Sequence, residues 1–336
     1  MKDDIILLGH GGGGLLSHEL VTKKFLPLFK NIYLERLEDG AVFDIEGKKL
    51  CFSTDSYVVK PIFFPGGDIG SLAIHGTVND LAMCGGVPLF LSAGFILEEG
   101  FPMEHLEKII ESMAQAAVKA NVKIVTGDTK VVARGAMDGL YINTTGIGVI
   151  RYEGIISVSS VAPGDAIILN GAIGDHGAAI LSKREELGLD TEILSDSAPL
   201  NGLVENILKA SVNVHCMRDA TRGGLGAILA EIADQSKCQI VLEEKNIPVK
   251  EAVKGVCEIL GFDPMFLANE GKMVVFCSPA DAQKVLQTMK VHPYGKDASI
   301  IGQVGKKDAG RLILNTIIGG SREIDLPAGE LAPRIC

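Results

Sequence analysis

Apolar and polar positions alternate along the chain in two periods. Leu50 to Lys60 (LCFSTDSYVVK) and Leu140 to Ile150 (LYINTTGIGVI) have the β-branched and aromatic content of strands. Glu104 to Ala120 places Leu106, Ile109, Ile110, Met113 and Ala117 at helical spacing with charges between them. Asn121 follows as a helix stop before a short strand, Val122 to Val125. Further on, the pattern predicts helices over Gly224–Ser236 and Ala280–Met289 and a strand in KMVVFC. The turn Pro163-Gly164-Asp165 lies near a change from one set of elements to another. Interleaved strands and helices give a mixed α/β and α+β protein. The expected units are an N-terminal domain over 1–153, a C-terminal domain over 154–323 and a tail over 324–336.

Composition narrows the function classes. In 336 residues, 32 Lys and Arg against 42 Asp and Glu leave a net charge of −10, without a basic run. That balance argues against nucleic acid and anionic membranes as partners. The longest charge-free stretch, Leu81 to Leu97, is broken by Gly85, Gly86, Pro88 and Gly94, so it reads as buried core rather than a membrane span. The start, MKDDIILLGH, is wrong for a secretory signal. Seven scattered cysteines show no metal spacing and fit reduced thiols in a cytoplasmic protein.

Candidate chemistry sits in short strings. Asp55, Asp80 and Asp128 are expected at strand-to-loop transitions among small residues. Carboxylates that converge suit Mg²⁺ held together with phosphate oxygens, although one such Asp is ordinarily a cap or turn residue and the count alone does not decide. Lys60 and Lys130 lie near two of them as point charges for phosphate. Met217-Arg218-Asp219-Ala220-Thr221-Arg222-Gly223-Gly224 runs into a helix start and reads either as an anion site or as an ordinary helix cap. Gly9 to Gly14 matches a dinucleotide glycine pattern only weakly, and is either a lead-in or a loop that covers phosphates. Pro327 and Pro333 make the C-terminus extended, and Cys336 ends it, so the thiol can act as a nucleophile or carrier that swings between sites.

Together, STDSYVVKPIFFPGGDIG, GTVNDLAMCGGVPLFLS, VTGDTKVV, MRDATRGGLG, LANEGK and the terminal PRIC resemble the HypE family of hydrogenase maturation proteins, carbamoyl dehydratases of the PurM-like, ATP-using superfamily. The resemblance covers nearly the whole chain. Ala220 departs from it, standing where many relatives have Pro. It implies a PurM-like two-domain fold, the N-terminal sheet pairing with a second subunit into a dimeric barrel-like core, and ATP in the cleft. It implies that Asp55, Asp80 and Asp128, with Asn79 adjacent, hold Mg²⁺ and the triphosphate, and that Lys60 contacts phosphate. Lys130 and Glu270 match residues at the carbamoyl end, with Glu270 as general base kept close to Lys272 and Lys130.

On this reading a partner resembling HypF carbamoylates Cys336, whose thiolate is solvated at the chain end and needs little activation. ATP-dependent dehydration then gives a thiocyanate, whose cyanide passes to an iron-carrying complex resembling HypC–HypD. The competing readings are a PurM-like enzyme acting on a free small molecule (of the aminoimidazole ribonucleotide synthetase, selenophosphate synthetase or thiamine-phosphate kinase type) and a non-catalytic maturation scaffold.

Overall fold

A computed structural model describes residues 5–184, 192–307, 310–327 and 334–336. Two helical turns, α1 (Leu15–Leu20) and α2 (Leu26–Phe29), joined by a π turn, precede the first sheet. There follow β1 (Ala41–Ile45), β2 (Lys48–Tyr57), a small hairpin of β3 (Phe63–Phe64) and β4 (Gly67–Asp68), α3 (Ile69–Met83), β5 (Gly86–Glu98), α4 (Met103–Ala120), β6 (Lys123–Val132) and β7 (Leu140–Ile150). The larger strands order as β1-β2-β7-β5-β6, antiparallel except for the parallel β5–β6 pair.

The helix α3 is buried on all sides, the signature of a helix inside a core rather than on it. It starts because the Asp68 carboxylate accepts from the Gly70 and Ser71 amides at 2.7 and 2.9 Å, and it stops before Gly85, at φ +78. Tyr57 of β2 packs over Gly76, where a Cβ would lie 2.2 Å from the phenol oxygen. Outside it, α4 buries Ile109, Met113 and Ala117 as its spacing predicts and ends at left-handed Asn121. Ile110, one step further round, is exposed instead.

The second sheet contains β8 (Ala166–Leu169), β9 (Val214–Asp219), β10 (Cys238–Glu243), β11 (Met273–Cys277), β12 (Ser299–Lys307), β13 (Leu312–Asn315) and β14 (Ser321–Ile324), ordered β14-β13-β10-β12-β8-β11-β9. The helices between them are α5 (Asp175–Ser182), α6 (Asn201–Ala210), α7 (Gly224–Ser236), α8 (Glu251–Leu260) and α9 (Ala282–Lys290). One apolar layer joins the sheet to α7, and another joins it to α6 and α9. Ala82 and Met83 of α3 belong to the α6–α9 layer, so α3 ties the two sheets together. Among the described residues no helix is long and apolar enough to cross a membrane.

The strand expected over 122–125 instead runs to Val132 and takes the VTGDTKVV motif with it. Parallel pairing with β5 from Lys123 to Val132 overrides the turn preference of Gly127 and Asp128. Consequently none of the three candidate aspartates sits at a strand-to-loop transition. Asp55 and Asp128 are within strands, and Asp80 is in the last turn of α3. Residues 328–333, which include Pro333 of the expected extended tail, lie outside the described residues.

Candidate active site

Alternation along β2 turns Cys51, Ser53, Asp55 and Tyr57 toward α3. Asp80 on α3 faces this row, and the Ser53 hydroxyl donates to its Oδ2 at 2.8 Å. Strand β9 ends at Asp219, and the turn Ala220–Gly224, with Gly223 and Gly224 at φ +77 and +67, brings Arg222 inward. Glu270 enters from the loop before β11. Asp196 holds that loop by accepting from the Glu270 amide at 3.0 Å and the Gly271 amide at 3.2 Å. The C-terminus closes the set: the Val58 amide donates to the Cys336 carboxyl-terminal oxygen at 3.2 Å.

Asp55, Asp80, Asp219, Arg222, Glu270 and Cys336 line one cavity of 410 Å³. His10, Gly11 and Gly13 also line it, so the glycine-rich segment is part of the wall rather than a detached lead-in. The Arg222 Nη1 donates to the Gly11 carbonyl at 3.2 Å, which fixes that wall. An adjoining cavity of 750 Å³ runs between α1 and β1–β2 and shares Asp39, Thr54 and Arg222 with the first.

The electrostatics of this cavity are lopsided. Asp39, Asp55, Asp80, Asp219, Glu231 and Glu270 line it against Arg218 and Arg222. Arg218 is already committed, contacting Asp39 at 2.5 Å and Glu231 at 3.8 Å, so of the arginines in the expected anion site only Arg222 turns to the Cys336 end. Burial, then the neighbouring Asp219 and Asp55, pushes the Asp80 and Glu270 carboxyls far above the usual range. Burial and Asp39 do the same to Asp219, and Asp39 itself is raised to about 6 by burial. Glu270 is 3% exposed and its Oε1 has no hydrogen-bond partner.

The Cys336 thiol corrects the expectation of a solvated thiolate. Burial raises its pKa more than Arg222 lowers it, so the docked thiol is neutral. The other six cysteines are buried, Cys84 among them, and all seven are unpaired.

Several expected residues lie elsewhere. Asn79 spends its amide on structure: its Nδ2 donates to the Ala198 carbonyl at 3.1 Å, and its Oδ1 accepts from the Leu200 amide at 2.7 Å. Lys60 points to the rim and pairs with Asp138 at 3.2 Å, not with the cavity. Lys272 pairs with Asp196 at 2.9 Å and lines a separate cavity of 350 Å³ behind Glu270.

Lys130 and Asp128 pair with each other at 2.7 Å, both 69% exposed, on the edge strand β6. The register Asp55–Thr144–Ala93–Gly127 puts β6 three strands from Asp55, about 14 Å at normal strand spacing. Within one chain Glu270 therefore has Arg222, not Lys272 or Lys130, as its cationic neighbour. Sequence reasoning missed Asp219 as an individual site residue. Its signal was present in the MRDATRGG run, at the end of a strand and before a helix.

Unpartnered Asp39 Oδ2, Asp219 Oδ2 and Glu270 Oε1 in a net-negative cavity are what a cation-bearing ligand would satisfy. Among the described residues, no three carboxylate, histidine or cysteine side chains form a metal cage by themselves. Mg²⁺ fits here as an ion carried in with phosphate oxygens.

Residues 37–150 match the AIR synthase related protein N-terminal domain, and 162–315 match its C-terminal domain. The chain is 47% identical over 336 residues to the carbamoyl dehydratase HypE of Azotobacter vinelandii, covering 100% of this chain and 98% of that one. A crystal structure of a HypE–HypF complex superposes with a TM-score of 0.87 at 50% identity, covering 92% of this chain and 99% of that one. A crystal structure of HypE in complex with ATP superposes with a TM-score of 0.83 at 47% identity, covering 99% and 100%. Two matched domains that make a PurM-like fold, with close to half of all residues identical over the full length, establish that the chain belongs to the HypE family.

Proposed function

We propose that this chain is an ATP-dependent carbamoyl dehydratase that converts an S-carbamoyl group on Cys336 to a thiocyanate, for the cyanide ligand of a [NiFe]-hydrogenase iron. The observation that carries this reading is the Cys336 thiol in one cavity with a buried, unpartnered Glu270 carboxyl. Uptake of the carbamoyl group, from a partner resembling HypF, needs a thiolate and therefore an undocked tail. Once carbamoylated, the sulfur no longer ionises, so the tail re-enters the cavity without burying a new charge.

Asp55, Asp80 and Asp219 would hold the Mg²⁺-bound phosphates, and the adjoining 750 Å³ cavity has room for a nucleoside. Bound Mg²⁺–ATP supplies the phosphoryl group with which the carbamoyl oxygen departs as phosphate. Arg222 offsets negative charge developing at that oxygen. Glu270, whose Oε1 has no partner and which shares the cavity with Cys336, takes protons from the amide nitrogen once the bound ligand's cation favours its ionised form. The S–C(O)NH₂ group loses its oxygen to phosphate and two protons from nitrogen, which leaves S–C≡N.

A homodimer completes the site. Strand β6 is a ten-residue exposed edge carrying Ile124, Val125 and Val131, a surface that soluble proteins pair or cover. Pairing there with a second copy would carry Asp128 and Lys130 to a neighbouring cleft, which reconciles their motif with their distance from Asp55. Seven unpaired cysteines suit the cytoplasm, where an iron-carrying complex resembling HypC–HypD would take the cyanide.

The test is phosphate release by carbamoylated chain. One phosphate per thiocyanate, absent without the carbamoyl group, is the expected result. Equal ATP hydrolysis with and without carbamoylation would contradict the reading.

A further inference from the structure

The last three residues of the chain meet a set of receptors. The Arg334 Nε donates to the Val58 carbonyl at 2.8 Å, its Nη1 pairs with Asp138, and the guanidinium lies 5.7 Å over the Tyr141 ring. The Lys60 amide donates to the Arg334 carbonyl at 3.1 Å. The Ile335 side chain is 5% exposed and belongs to the core that α3 and α5 share. Arg334 itself adopts φ +52, a left-handed conformation that costs energy for a non-glycine residue. The tail is therefore held in place by its contacts rather than by its own backbone preference.

The deepest of those contacts belongs to a residue outside the chemistry described so far. His176, in the first turn of α5 and fully buried, lies edge-to-face on Phe64 and has its Nε2 2.7 Å from the Ile335 carbonyl. A carbonyl only accepts, so Nε2 carries the hydrogen and the neutral ring's Nδ1 accepts from the Ser195 hydroxyl at 2.8 Å. The Ser195 oxygen in turn accepts from the Ser197 amide at 3.1 Å. Between these two serines stands Asp196, whose carboxylate fixes the Glu270 and Gly271 amides. One short segment, residues 195–197, thus holds the tail through His176 and the Glu270 peptide through Asp196.

We propose that His176 is a positioning residue for dehydration: it docks the peptide next to the carrier cysteine so that Cys336 and Glu270 share one frame. This rests on the reading of Cys336 as carrier. Rim contacts such as Arg334–Asp138 steer the tail to the cleft, whereas the buried His176 bond sets how far the thiol reaches once inside.

The experiment compares full-length parent, His176→Leu and His176→Gln. Leucine fills the space against Phe64 without a donor, and glutamine keeps an N–H donor. The first readout is iodoacetamide alkylation of Cys336 in native chain, read on the C-terminal peptide, since the other six thiols are buried. His176→Leu should alkylate about tenfold faster, on the order of what one lost buried hydrogen bond does to a docking equilibrium, and His176→Gln should stay near the parent. The second readout is single-turnover conversion of carbamoylated chain with Mg²⁺–ATP. It should slow about tenfold in His176→Leu and recover in His176→Gln, while carbamoylation by the partner enzyme is not slowed.

Equal alkylation in all three, or slowing of carbamoylation and dehydration together, would overturn the proposal. If His176→Leu melts early, the Ser195→Ala variant, which removes the hydroxyl bonded to Nδ1 and leaves the imidazole packed, must alkylate faster than parent for the proposal to stand. If the carbamoylated parent does not convert at all, the dehydratase reading fails, and the alkylation series still decides the docking role.

Discussion

Asp55 on β2 and Asp128 on β6 sit in the same sheet, each within a strand and each among Thr, Ser or Gly neighbours. Their surroundings are opposite. Asp55 looks into a cavity where buried acids raise one another's pKa and Arg222 stands 3.9 Å away. Asp128 lies on the open edge, where Lys130 beside it holds its carboxyl below the usual range. The difference comes from what packs behind each strand. The inner face of β2 is closed by α3 and the second domain, while β6 has strand β5 on one side and, among the described residues, no strand on the other. Motif chemistry marks both as candidate ligands, and only packing separates the interior acid from the one on the edge, which in the proposed dimer would serve a second chain.

The sharpest way to break this comparison is at its interior end. Glu270→Gln should leave carbamoylation of Cys336 intact and slow dehydration by about 10²–10⁴, the usual contribution of a positioned base. Single-turnover mass spectrometry checks it, and undiminished thiocyanate would remove Glu270 from the chemistry. The next test sits at the edge. A charge in the middle of β6, Val125→Asp, should leave a folded monomer that has lost ATP-dependent dehydration, because Asp128 and Lys130 no longer reach a neighbour's cleft. Sedimentation together with activity decides this, and a fully active monomer would show that one chain suffices.

Asp80→Asn should remove most of the stabilisation by Mg²⁺–ATP, worth about 2.7 kcal/mol when ligand is at 100 times its Kd. Without ligand the same variant should melt above the parent at neutral pH, since it deletes an acid that burial penalises. Asp128→Asn, exposed and paired with Lys130, should leave the ligand-free melt unchanged. If both variants shift the ligand-free melt alike, the distinction between interior and edge is wrong.

The remaining test is with pH. Asp39, Asp80, Asp219 and Glu270 have folded-state pKa values above their unfolded ones, so their contribution is intact below about pH 4 and is lost as pH rises through the raised values. For Asp39 the window runs from its ordinary 3.8 to about 6. Ligand-free chain should therefore lose stability between pH 4 and 7, and saturating Mg²⁺–ATP should flatten the slope. A ligand-free profile that rises through this window would contradict the assignment.

Much of the fold was legible because its signals are local. The 3.6-residue spacing of α4 ends at an Asn that takes the left-handed cap, and β7 spans the residues that its alternation predicts. The extent of β6 was not legible, since parallel pairing with β5 depends on a neighbour more than thirty residues away. Toward the cavity, small-residue runs around a carboxylate singled out Asp55 and Asp80, and the terminal thiol singled out Cys336, whereas Glu270 came only from the family resemblance; the structure lines one cavity with all four. Asn79 and Lys60 have equally suggestive neighbours in sequence, yet their side chains are spent on the 198–200 backbone and on Asp138. His176 carries no local signal: its role exists only because a chain end 159 residues away returns to it.

The central claim is that the terminal cysteine carries the group on which dehydration occurs. Peptide-resolved mass spectrometry after incubation with the carbamoyl-transfer partner, before and after adding Mg²⁺–ATP, tests it most directly. The account predicts a gain of one carbamoyl group on the C-terminal peptide, then loss of one water from the same peptide, with both changes absent in Cys336→Ala. A carbamoyl group on any other cysteine, or thiocyanate formed by Cys336→Ala, would contradict it.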